Sequence, residues 1–424
     1  MGWKVRANAA VAGMLAVALA GFAAPRAEAE DASWPRFPGS AYSAHGHASD
    51  HASEAAFIKE WEAAPPKGYP TLSPSNIAPM QAAIRRYTEI AAAGGWAPLP
   101  EVVLQAGMVD PAVELLRTRL LLSGDLQERG AAQTFDYYLE KALKRYQASN
   151  GLPPTGILDK HTIVALNVPA ASRLKQLKEN LARLFAYGRP GRKYVVVNIP
   201  SAQIEAIEAD RVVSRHSGVV GKPDRPTPIL TSAIHELNFN AVWHLPPTVI
   251  EKDLVPKGRE MARRGQSVLV KYHIDAFGPD GKKLNPASIN WDAPGAKNLT
   301  YRQQPGPDNP LGFVKINFNN AYSVYMHDTP SQSLFGHSFR AASSGCVRVQ
   351  GIEQLDAWVL ADQGWREEHV LQMKESGERR NVTLRKPIAL YFVYITAWAT
   401  EDGVVQFRRD IYLKDGIGAA AATY

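Results

Sequence analysis

The sequence predicts a multi-domain chain in which a small helical unit precedes a mainly-β domain that carries a long insertion. Three observations carry that prediction. Between residues 108 and 168, apolar residues recur at spacings of three and four, which paints one face of a helix. From Lys193 onward, β-branched or alternating runs end in turn residues, as in a β-sandwich or small barrel. Between about Asn238 and Gly312 that rhythm stops, for much longer than an ordinary loop of ~12–15 residues.

The N-terminus comes first. Lys4 and Arg6 precede an apolar stretch, Ala9 to Ala24, which Pro25 breaks, and Ala27-Glu28-Ala29 puts small residues where a signal peptidase reads. The run is short of the ~20 residues needed to span a bilayer. Residues 1–29 are therefore expected to be a secretory leader and the mature protein to be periplasmic, with no stable membrane insertion after cleavage. Losing Lys4, Arg6, Arg26 and Glu28 takes the net charge from +7 to +5. That bias is spread over the chain. It suits an anionic polymer without calling for nucleic acid. The composition, 45% apolar and 21% charged, excludes wholesale disorder and collagen. A single cysteine excludes an internal disulfide and a cysteine-based zinc cluster.

Residues 30–107 are rich in Ala, Pro, Ser and Gly and read as a linker with scaffold helices, one over Pro79 to Ala92. His45, His47 and His51 fall there and read as a solvated segment, because a flexible linker does not pre-organise metal ligands. Next, Val113, Leu116 and Leu120 mark one helix. Phe135, Tyr138, Leu139, Ala142 and Tyr146 mark a second, and Ile163 and Leu166 a short third. The motifs Arg117-Thr118-Arg119-Leu120, Gly124-Asp125-Leu126, Leu143-Lys144-Arg145-Tyr146-Gln147, Asn150-Gly151-Leu152, Thr155-Gly156 and Ala165-Leu166-Asn167 resemble the three-helix peptidoglycan-binding domain, over residues 108–168. Leu174, Leu177, Leu181 and Leu184 mark a connecting helix within 169–192.

The domain from 193 to 424 should contain strands at Tyr194–Ile199, Gln203–Glu208, Val212–Gly221, Val314–Phe318, Ser323–His327, Ile388–Trp398 and Val404–Phe407. One helix follows the cysteine, through Ile352, Leu355, Trp358 and Val359. The insertion, about 238–312, carries Trp243, Trp291 and Tyr301, which we expect to face a ligand from a lid.

Chemistry concentrates between Tyr325 and Val349. A cysteine nucleophile needs a base or cation to lower its pKa and donors to hold an oxyanion. Ser344-Gly345-Cys346 is a small-residue turn whose N–H groups can converge, and Gly345 leaves room for a substrate. His327 ends an expected strand upstream, whereas His337 sits mid-loop after Gly336. Tyr325, two positions before His327, shares its strand face. Arg348, two positions after Cys346, fits a substrate carboxylate or a structural ion pair equally well. Asp328 and Thr329 read as turn-formers.

The run Tyr325-Met326-His327-Asp328-Thr329-Pro330 and the turn Ser343-Ser344-Gly345-Cys346-Val347-Arg348 resemble the YkuD-type L,D-transpeptidase motif, more narrowly its YcbB-like branch. Val196-Val197-Asn198-Ile199-Pro200, Gly221 to Pro228 and Gln303-Gln304-Pro305-Gly306-Pro307 extend the likeness from about Lys193 to Lys414. Many YkuD members have a histidine where this chain has Ser344. The resemblance therefore leaves His327 as general base. It implies that Cys346 forms a thioester with a tetrapeptide stem, releasing the terminal D-alanine, and that an acceptor amine then takes the acyl group. The amides of Gly345 and Cys346 would form the oxyanion hole. Tyr325, Ser344 and Arg348 would line the substrate site, and the insertion would cap it. The implied partners are peptidoglycan stem peptides and glycan, with no cofactor and no metal. An L,D-carboxypeptidase or endopeptidase using the same residues, and a non-catalytic wall-binding protein, stay open as alternatives. A metal peptidase is disfavoured, because His216, His235, His244 and His273 show no ligand spacing.

Overall fold

The computed structural model of the protein describes residues 69–128, 130 and 132–417. The expected leader and His45, His47 and His51 lie outside the described residues. Residues 69–92, expected as linker with a scaffold helix over Pro79 to Ala92, are tied to the β domain. The buried carboxylate of Glu205 needs donors, and Thr71 supplies two, its N–H and its hydroxyl, each at 2.8 Å. Arg215 completes the pairing at 2.9 Å. Helix α1 (Ile77–Ala92) then buries Met80, Ala83 and Tyr87.

The helical unit comprises α2 (Ala112–Ser123), α3 (Tyr137–Ser149) and α4 (Lys160–Leu166) around one core. Asp136 caps α3 by accepting the Leu139 N–H at 2.9 Å, and Asp159 caps α4 through the Thr162 N–H at 2.7 Å. Gln147 explains part of the motif: its side chain accepts the Gly156 N–H at 2.8 Å and donates to the Ile157 carbonyl at 2.9 Å, pinning the turn before α4. Tyr138 departs from expectation and is 72% exposed. The buried stripe is Leu139, Ala142, Leu143 and Tyr146, and a residue directly before Leu139 lies about 100° round the helix from it. Helix α5 (Ala170–Tyr187) follows and packs beside α1, both covering the β domain.

The β domain opens with β1 (Lys193–Asn198), β2 (Gln203–Glu208), β3 (Arg211–Gly221) and β4 (Leu230–Phe239). On β1, Val195 and Val197 face one core while Tyr194 and Val196 face another, under α1 and α5. Burial on both faces is why this strand reads as an unbroken apolar run. The insertion then folds as a subdomain with its own core. It contains β5 (Trp243–His244), α6 (Val255–Arg263), β6 (Ile274–Phe277) and β7 (Thr300–Gln303), the strands pairing in the order β5-β7-β6.

The chain returns through β8 (Val314–Phe318) and β9 (Met326–His327). The expected strand from Ser323 is shorter because the Asn320 side chain holds the loop. Its Oδ1 accepts the Tyr322 and Val324 N–H groups at 3.0 and 3.1 Å. Next come β10 (Ala341–Ser343), β11 (Val347–Val349), α7 (Ile352–Val359), α8 (Glu367–Ser376) and β12 (Arg380–Val393). The expected strand through Trp398 breaks after Val393. Asn198 exchanges two side-chain hydrogen bonds with the Ile395 backbone, and Asn180 accepts the Thr396 N–H at 2.9 Å. The chain leaves the sheet there and makes a separate hairpin of β13 (Ala397–Ala399) and β14 (Val405–Phe407).

The main sheet runs β10-β3-β11-β9-β8-β4-β12-β1-β2, and β2 pairs back to β3. The first half of β3 pairs with β2 and its last residues with β11 and β10, so one long strand closes the sheet around its core.

Candidate active site

Strand register brings the chemistry together. Lys315 on β8 lies opposite His327 on β9, and His327 opposite Arg348 on β11. Alternation puts Tyr325 and Cys346, each two positions earlier, on that same face. The backbone N–H and the phenol of Tyr325 both hydrogen-bond the Cys346 thiol. The phenol oxygen in turn accepts the Trp243 indole N–H at 2.9 Å.

The turn before the thiol is held from three sides. Gly345 has φ 115°, a region that side chains rarely enter. Ser343 Oγ donates to the Cys346 carbonyl at 2.6 Å and accepts the Gly345 N–H at 3.1 Å. Thr227 Oγ1 donates to the Gly345 carbonyl at 2.8 Å and accepts the Gly221 N–H at 2.8 Å. Arg225 Nη1 reaches both Ser344 Oγ, at 2.8 Å, and Asp253 Oδ2 in the inserted subdomain, at 3.1 Å. Gly345 is thus beside the thiol as expected, but its N–H, assigned to an oxyanion hole by resemblance, is committed to Ser343. Ser344 is exposed.

His327 is 5% exposed. Its Nδ1 lies 2.5 Å from the Asp328 carbonyl, and the ring also hydrogen-bonds the Pro310 carbonyl. Burial, reinforced by the Arg348 guanidinium, pulls its pKa down to about 3. A general base suited to both proton transfers would titrate near neutral pH, whereas burial holds this imidazole well below that and uncharged. Burial also raises the Cys346 pKa, against the donors of Tyr325 and the charges of Lys315 and Arg348. The resting pair is thiol and neutral imidazole. Arg348 is itself buried, its pKa lowered to about 10 by desolvation, and its Nη1 donates to Thr329 Oγ1 at 3.2 Å. His337 is exposed on its loop.

The inserted aromatics divide. Trp243 meets the site through Tyr325. Trp291 and Tyr301 do not: they stack at 6.0 Å inside the subdomain, 6% and 0% exposed. They build the core of the inserted subdomain and are not the ligand-facing residues expected. Sequence reasoning missed Lys315, Arg225 and Thr227. Alternation in the Val314–Phe318 strand was the one available signal for Lys315. The other two act across contacts distant in sequence.

Residues 192–373 match the YkuD family, described as L,D-transpeptidase catalytic domain. Residues 109–166 match a family described as "Putative peptidoglycan binding domain". A region that matches a peptidoglycan-binding family thus precedes a mainly-β region that matches the YkuD catalytic domain. A Haemophilus influenzae protein named "Putative L,D-transpeptidase" is 30% identical over 219 residues, 51% of this chain and 44% of that protein. The chain therefore matches less than half the length of this curated relative. An L,D-transpeptidase structure from Stackebrandtia nassauensis covers 70% of this chain and 96% of its own at 13% identity, with a TM-score of 0.26. One from Xylanimonas cellulosilytica covers 70% and 100% at 14% identity, with a TM-score of 0.21.

Proposed function

We propose that this protein is a periplasmic L,D-transpeptidase that cross-links peptidoglycan stem peptides through a thioester on Cys346, in the manner of the YcbB-like branch. One observation carries the reading. The thiol of the chain's single cysteine sits in a turn braced by Ser343 and Thr227, on one sheet face with Tyr325, His327, Lys315 and Arg348.

His327 takes the thiol proton, and the thiolate attacks the carbonyl carbon of the donor's third residue. A thiolate–imidazolium pair offsets the burial penalty on both groups, because each supplies the counter-charge the other lacks. The Cys346 amide is the donor nearest the developing oxyanion. As the intermediate collapses, the C–N bond to the terminal D-alanine breaks and the imidazolium returns its proton to that amine. An acceptor amine then attacks the thioester, gives its proton to His327 and releases the thiolate. Residues 1–29 are the leader, 108–168 hold the wall, 193–424 do the chemistry, and the insertion near 238–312 caps the site.

The test is Cys346→Ala. Incubated with tetrapeptide stems, the variant should give no cross-linked dimer while its circular dichroism matches the parent. Cross-linking by the alanine protein would overturn the reading.

A further inference from the structure

Residues 408–417 follow the β13–β14 hairpin as an irregular strap fixed at several points. Arg408 Nη1 donates to the Ser149 carbonyl of the helical unit at 2.8 Å. Asp415 pairs with Arg183 of α5 at 2.6 Å. Between them, one carboxylate oxygen of Asp410 accepts the Tyr394 hydroxyl at 2.7 Å, and the other accepts the Asp415 N–H at 2.8 Å. Tyr394 in turn fixes Tyr412. Its hydroxyl oxygen accepts the Tyr412 N–H at 2.7 Å, and the two rings stack with centroids 5.7 Å apart. A hydroxyl can aim its neighbours only when its own side chain is locked, and Tyr412 is locked at both backbone and ring.

The Tyr412 hydroxyl reaches the loop that braces the nucleophile's turn. It donates to the Gly221 carbonyl at 2.6 Å and accepts the Thr227 N–H at 3.1 Å. Gly221 ends β3, and the loop crosses it so closely that a Cβ there would lie 2.2 Å from the Arg225 carbonyl. Thr227 is buried. Its hydroxyl accepts the Gly221 N–H, which leaves its single proton for the Gly345 carbonyl. In a trans peptide the carbonyl and the next N–H point in opposite directions. Holding the Gly345 carbonyl therefore also aims the Cys346 N–H away from Thr227. That N–H makes no hydrogen bond among the described residues. A donor that is aimed in advance and unpaired stabilises a developing oxyanion without reorganising.

We propose that Tyr412 is a positioning residue for acyl transfer: acting through Thr227, its hydroxyl sets the direction of the Cys346 N–H that receives the oxyanion. The inference rests on the acyl-transfer reading of Cys346. Two reactions of the same thiol separate aim from general integrity. Acylation by a tetrapeptide donor passes through an oxyanion. Alkylation by iodoacetamide displaces iodide from a saturated carbon and forms none.

The experiment compares both reactions in the full chain. Tyr412→Phe keeps the ring and its stacking and removes only the hydroxyl. It should lower kcat for D-alanine release about tenfold while KM stays within about twofold. Its alkylation rate should stay within about twofold of the parent's. Thr227→Val should show the same split with a loss of about 100-fold, and Thr227→Ser, which keeps the hydroxyl, should recover most of that loss. Because the two residues act in series, adding Tyr412→Phe to Thr227→Val should cost little more than Thr227→Val alone. A merely structural role would slow acylation and alkylation together. An unchanged kcat in Tyr412→Phe, equal losses in the two reactions, or a serine variant as slow as the valine one overturns the positioning role and leaves the transpeptidase reading intact. No D-alanine release by the parent overturns the transpeptidase reading and the positioning role with it.

Discussion

Replacing Tyr325 by phenylalanine isolates one interaction at the nucleophile. The phenol oxygen accepts the Trp243 indole N–H at 2.9 Å, which leaves the phenol's own proton for the Cys346 thiol. A hydrogen bond to a charged group contributes about 1.5–3 kcal/mol. At about 1.4 kcal/mol per pKa unit, losing this donor should raise the thiol pKa by about one to two units. The ring remains, so the packing against both cores and the Lys315 contact survive. The Trp243 N–H loses its acceptor, which should lower stability by about 1 kcal/mol. Iodoacetamide alkylation followed across pH by intact-protein mass measures the change directly. At pH 7 the alkylation rate should fall about 10- to 100-fold, and the midpoint should move to higher pH. A midpoint that stays put or moves down would refute the view that Tyr325 stabilises the thiolate.

Three further outcomes follow from the same geometry. His327→Ala should reduce kcat by at least about 100-fold, while His337→Ala, exposed on its loop, should keep most of it; equal losses in a single-turnover acylation assay would unseat His327 as the base. Gly258→Ala should destabilise the inserted subdomain by about 1–3 kcal/mol, because a Cβ there would lie 2.3 Å from the Trp291 ring. Cross-linking should fall with no change in Cys346 alkylation, and unchanged thermal unfolding would contradict this packing. Asp356 is buried, both its carboxylate oxygens lack a partner among the described residues, and burial raises its pKa well above 3.8. The folded state therefore holds a proton that the unfolded chain releases. The associated stability is fully present below about pH 4 and drains away as pH rises towards the folded pKa. Asp356→Asn should flatten that decline in urea titrations between pH 4 and 8, and an unchanged slope would show that another group carries it.

The sequence by itself determined whatever depends on neighbours along the chain. Three- and four-residue spacing placed α2, α3 and α5. Asp136 and Asp159 stand where helix caps are needed. The β-branched run at β1 announced a strand, and the small residues before Cys346 announced a turn. Motif resemblance singled out Cys346 and His327 as the candidate nucleophile and base. The tertiary structure decided what depends on pairing across distance. Closure of the sheet rests on β3 turning from β2 to β11, and no local pattern encodes a strand's partner. Register put Lys315 opposite His327 and Arg348 beside it. Thr227 and Arg225 brace the nucleophile's turn from more than a hundred residues away in sequence. Trp291 and Tyr301 became core residues because the insertion is large enough to enclose its own apolar centre. The uncharged state of His327 was settled last. A pKa answers to burial and surrounding charge, and both exist only once the strands have met.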